Sequence, residues 1–135
     1  DIFYKNKATT LVSEILLGYN DISEQDFVLG KAGVLLSLMR YYELEGTAYL
    51  EEFIHTAISE LQEEIGQDFS QYNSLFDYSF AHGKAGIAYV LNEYKILFDS
   101  KKFDSIISIF TEEIAKILSQ EILKNKNSYN RAILV

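Results

Sequence analysis

Two residues capable of proton transfer, Asp26 and His82, stand in two copies of one block. Asp26-Phe27-Val28-Leu29-Gly30-Lys31-Ala32-Gly33-Val34 recurs 53 residues later as Ser79-Phe80-Ala81-His82-Gly83-Lys84-Ala85-Gly86-Ile87. The copies share Phe-x-x-Gly-Lys-Ala-Gly and differ where chemistry would sit: Asp26 has no counterpart carboxylate, and His82 has no counterpart imidazole. An imidazole at the entrance of a helix can exchange protons near neutral pH. Asp26, four residues before Gly30, reads equally well as a turn carboxylate; Asp21 and Asp77 compete with it, and only its register with Gly30 and Gly33 singles it out.

Other reactive types carry less. His55 lies inside an apolar stretch, Tyr78 and Phe80 could line a groove or fill a core, and Glu60, Glu63 and Glu64 read as a solvated helix face. The repeated glycines Gly30, Gly33, Gly83 and Gly86 read as structural, because small residues at a crowded helix entrance let backbones approach closely. They do not form a phosphate-binding loop: Gly-x-x-x-x-Gly-Lys-Ser/Thr and its preceding strand are both missing.

Apolar residues at three- and four-residue spacing predict five helices to hold these positions. The first runs from about Lys7 to Tyr19, and the second from Lys31 or Ala32 to Gly46, whose glycine suits a left-handed cap. Thr47 caps a third that ends at Gly66. A fourth runs from Lys84 or Ala85 to about Phe98, and a fifth follows the turn residues Asp99 and Ser100. Gln67 to Ser79 and Lys124 to Arg131 read as loops. The more apolar fourth helix belongs to an inner layer and the amphipathic fifth to an outer one. The expectation is an all-α chain, 1–135 as one domain, with repeat units at about 21–66 and 74–124. Such helical hairpins curve into a solenoid or close into an α/α toroid.

Composition narrows the partners. A 135-residue chain that is 48% hydrophobic and 14% aromatic can form a core, and the absence of proline favours unbroken helices. A formal charge of −8 argues against nucleic acid or an anionic membrane. Without cysteine there are no disulfides and no thiolate metal ligands, and a reducing cytoplasm is permitted. No membrane span or signal-peptide pattern is present, so a soluble cytoplasmic protein is expected. The first residue is Asp1 rather than methionine and the last four are Ala132-Ile133-Leu134-Val135; both ends read as cut from something longer.

The Asp26–Leu35 block, followed by Leu44-Glu45-Gly46-Thr47-Ala48-Tyr49-Leu50, resembles a repeat of the lanthionine synthetase C-like proteins. Ser79-Phe80-Ala81-His82-Gly83-Lys84-Ala85-Gly86-Ile87-Ala88 is similar to their Ala-His-Gly-x-x-Gly-Ile repeat. The branch it resembles best is the cyclase portion of a class II lanthipeptide synthetase, with the stand-alone cyclases next. The resemblance implies addition of peptide cysteine thiols to dehydroalanine or dehydrobutyrine, forming thioether rings. It implies His82 as general acid/base and Asp26 as the active-site aspartate. Zinc is implied in the full-length parent, on two cysteines and a histidine of later repeats beyond Val135. No metal or other cofactor is expected in this chain, which would be a central fragment of the toroid, inactive alone.

The implied partners are a precursor peptide and the remainder of the cyclase domain, and exposed cut edges predict self-association. The alternative is a non-catalytic helical-repeat module that binds a peptide or protein. A carbohydrate-active toroid would need sugar-stacking tryptophans, and the chain has none.

Overall fold

The computed structural model describes residues 2–66 and 78–133, with side chains described as far as Lys124. Among these residues the elements are α1 (Ile2–Gly18), a 3-10 turn (Tyr19–Asp21), α2 (Lys31–Glu45), α3 (Ala48–Gly66), α4 (Lys84–Phe98) and α5 (Asp104–Ile133), with no strand. The expected all-α helical-repeat fold is what forms. Residues 67–77, most of the stretch read as a loop, lie outside the described residues.

Two helix limits differ from expectation. α1 begins at Ile2 rather than near Lys7. α5 continues through Lys124–Arg131 to Ile133, where a loop was expected. That stretch is polar but contains neither glycine nor proline, and a helix already nucleated extends through such residues at little cost.

The repeat is visible in the backbone. Gly30 and Gly83 enter α2 and α4 in the same extended conformation, at φ −120° and −136°. At the other ends, Gly46 and Asp99 both adopt the left-handed conformation, at φ 59° and 47°. Each donates its N–H to the carbonyl four residues back, Tyr42 O and Lys95 O respectively. A glycine takes that shape freely; an aspartate tolerates it better than most residues.

The hairpins α2–α3 and α4–α5 each pack internally, and α2 packs on α4. α3 buries Leu50, Ile54, Ala57, Ile58, Leu61 and Ile65 and half-buries Phe53; Tyr49, which the periodicity places on the same apolar face, is exposed in the first turn. α4 buries Ile87, Ala88, Val90, Leu91 and Tyr94, more of its circumference than a single stripe, as expected of an inner helix. Across the α2–α4 contact, Arg40 bonds Glu93, its own counterpart in the second copy. α1 buries no residue completely and leaves Ile2, Phe3, Tyr4, Leu11 and Leu17 exposed. No helix among the described residues is long and apolar enough to cross a membrane.

Candidate functional site

Each copy of the block is a tight loop that delivers the chain into α2 or α4, and glycine is required where that loop folds back on the helix. A Cβ on Gly33 would lie 2.0 Å from Phe27 O, and one on Gly86 would lie 2.1 Å from Phe80 O. Both are far inside contact distance. The same turn closes in each loop: Leu29 N donates to Asp26 Oδ1 at 2.6 Å, and His82 N donates to Ser79 Oγ at 3.1 Å.

The two loops then bond to one another. Phe27 N and Val28 N both donate to Ala81 O, at 3.2 and 3.1 Å. The Phe27 and Phe80 rings pack at 4.7 Å between centroids, with Tyr89 against both. This seam brings His82 Nδ1 to 2.9 Å from Asp26 Oδ2. Both side chains remain partly open, at 29% and 16% exposure. Beside them is a cavity of about 150 Å³ lined by Glu24, Gln25, Asp26, Ile65, His82, Gly83, Lys84 and Ile87.

Burial pulls the Asp26 carboxyl upward, but bonds from His82 and from the backbone N–H of Leu29, with the charge of His82, hold it below the ordinary carboxylate value. An ionised carboxylate can only accept, so the 2.9 Å contact is a bond donated by Nδ1–H. The tautomer that carries its proton on Nδ1 is thereby set. The arrangement can orient an imidazole and exchange a proton at the cavity.

Of the other candidates, Asp21 is exposed in the 3-10 turn and does not line this cavity, and Asp77 lies outside the described residues. His55 bonds Tyr94 Oη through Nδ1 at 2.7 Å and packs on Phe98 at 4.5 Å, on α3 and apart from the Asp26–His82 cavity. Phe80 packs in the seam yet stays 48% exposed. Glu64, read as part of a solvated face, accepts from Lys31 Nζ at 2.6 Å. Sequence reasoning also passed over Lys84 and its bond to Glu113 Oε2 at 2.7 Å. The repeated lysine was the available signal.

Among the described residues the donor set does not fit a zinc ion. The sequence contains no cysteine, and among the described residues no three His, Cys, Asp or Glu side chains converge.

A family model described as "Lanthionine synthetase C-like protein" matches residues 3–133. No curated protein and no solved structure matches the chain.

Proposed function

We propose that this chain, which belongs to the lanthionine synthetase C-like family, supplies the acid/base part of a lanthipeptide cyclase site. The reaction is addition of a peptide cysteine thiol to dehydroalanine or dehydrobutyrine in the same peptide. The thiol S–H bond breaks as its proton passes to Nε2 of His82, a carbon–sulfur bond forms at the β-carbon, the double-bond electrons shift toward the adjacent carbonyl as an enolate, and the α-carbon then takes a proton. His82 gives that proton from Nε2, while Asp26 holds Nδ1–H and stabilises the imidazolium. Zinc, which the resemblance assigns to cysteines this chain does not have, enters no step here.

The observation that carries the reading is the 2.9 Å bond between His82 and Asp26, both of which line one cavity. Family membership supplies the reaction class, and the bond supplies a division of labour between the two residues. The test uses the protein that contains this chain and a peptide with one cysteine and one dehydroalanine. His82→Ala and Asp26→Ala should each slow loss of the free thiol, read by alkylation and mass, while zinc content stays that of the unsubstituted protein. Full cyclisation by both variants would sink the assignment.

The absence of cysteine favours a second reading, a helical-repeat module that binds the peptide without turning it over. Saturable binding of the peptide, with no ring formed even by the unsubstituted protein, would select it.

A further inference from the structure

The lysine between the two glycines of each copy takes no part in the mechanism above, and its placement runs against local electrostatics. Lys31 and Lys84 are the first residues of α2 and α4, whose first turns hold no acidic residue. A cation there faces the positive end of the helix dipole, so each lysine must be held by other contacts.

Both contacts go to the outer helix that follows. Lys31 Nζ donates to Glu64 Oε1 at 2.6 Å, and Lys84 Nζ donates to Glu113 Oε2 at 2.7 Å. Each ammonium also lies over an aromatic ring, Tyr19 at 5.8 Å and Tyr78 at 4.9 Å. Lys84 is only 3% exposed and lines the same cavity as His82. On the other side, Gln25, next to Asp26, donates to Glu64 Oε2 at 3.5 Å. The His82 loop and the Asp26 loop are thus each pinned at the helix start that follows them.

We infer that Lys84 acting through Glu113, and Lys31 acting through Glu64, are positioning residues that hold His82 and Asp26 within bonding distance. The effect on rate rests on the cyclase reading; the effect on the His82–Asp26 bond does not. A shift of about 1 Å at a reacting group can cost on the order of 100-fold in rate. Removing one partner of a buried ion pair leaves the other charge uncompensated and destabilises; Lys84→Met leaves Glu113, whose side chain is 38% exposed and reached by water.

The experiment compares Lys84→Met, Lys84→Arg and Glu113→Gln in the protein that contains this chain. The first readout is the NMR resonance of the His82 Nδ1–H proton, which needs no activity. Lys84→Met and Glu113→Gln should weaken or abolish it, while Lys84→Arg should keep it. The second is ring formation on the cysteine–dehydroalanine peptide. There Lys84→Met should lower kcat about tenfold or more with KM within about twofold, and Lys84→Arg should recover most of the loss. Should Lys84→Met fail to fold, Glu113→Gln gives the same readout with the packing kept. An unchanged resonance in the folded variants overturns the inference, whatever the activity. A lost resonance with no ring formation by the unsubstituted protein supports the positioning role and removes the cyclase reading instead.

Discussion

Asp26 and Ser79 occupy equivalent places in the two copies and close the same turn, each accepting from the backbone N–H three residues on. Asp26 has a second oxygen, and that oxygen meets His82. The difference between serine and aspartate at one repeat position therefore adds, to the turn that both residues close, a bond to the imidazole.

Asp26→Ser should keep the turn and lose the imidazole's partner. We expect a folded protein with a thermal midpoint close to the parent's and ring formation lowered by about 10²- to 10⁴-fold, the range for removing a general acid/base contribution. Asp26→Ala removes both functions and should be less stable than Asp26→Ser. Calorimetry and thiol alkylation, run on the same samples, check the ordering.

Acid should weaken the fold through the same carboxyl. The folded value of Asp26 lies below its ordinary 3.8, so near that pH the carboxyl binds fewer protons in the folded chain than in the unfolded one. Its stabilisation is fully present above the ordinary value and is lost as pH falls through the folded one. Urea unfolding from about pH 5 downward should show an acid limb that Asp26→Asn makes shallower. An identical slope in the variant would contradict this.

The paired helix ends give a directional test of repeat geometry. Gly46→Ala places a Cβ on a residue at φ 59° and should destabilise by about 1 kcal/mol, whereas Asp99→Gly relieves a strained φ of 47° and should stabilise by up to about 1 kcal/mol. Gly33→Ala and Gly86→Ala, which drive a Cβ into a backbone carbonyl, should each cost about 1–3 kcal/mol or more. Chemical denaturation ranks all four.

Tyr19 is 1% exposed, and its hydroxyl has no partner among the described residues. Burial, and then the charges of Glu64 and Glu60, push its ionisation well above the ordinary range. Tyr19→Phe should be neutral or stabilising by about 1 kcal/mol, because it deletes an unsatisfied polar atom and keeps the ring on Phe53. A large loss of stability would mean the hydroxyl has a partner outside those residues.

Much of the scaffold was readable because its signals are local. Gly46 and Gly66 mark helix ends by backbone preference, and the stripe from Leu50 to Ile65 is a period that one helix satisfies by itself. The tail of α5 was misread because polarity resembles a loop while nothing in Lys124–Arg131 breaks a helix. The lysine clamps were unread for a different reason. Lys84 reaches Glu113, but the repeat register would send Lys31 to Glu60, and its partner is Glu64, one helical turn further on. Side-chain reach across a packing interface depends on how the helices slide, which a periodicity does not contain.

The sequence by itself determined that one helical unit is used twice, that glycine opens the first helix of each unit, and that Asp26 and His82 are where the copies diverge. Periodicity, capping and duplication are properties of short stretches compared with one another. Only the tertiary structure decided that the divergent residues meet. The 53-residue register pairs Asp26 with Ser79 and His82 with Leu29, so it relates each to a different position. Their contact arises because α2 packs on α4 and the two entry loops bond across the seam at Ala81, a juxtaposition set by packing rather than by chain order.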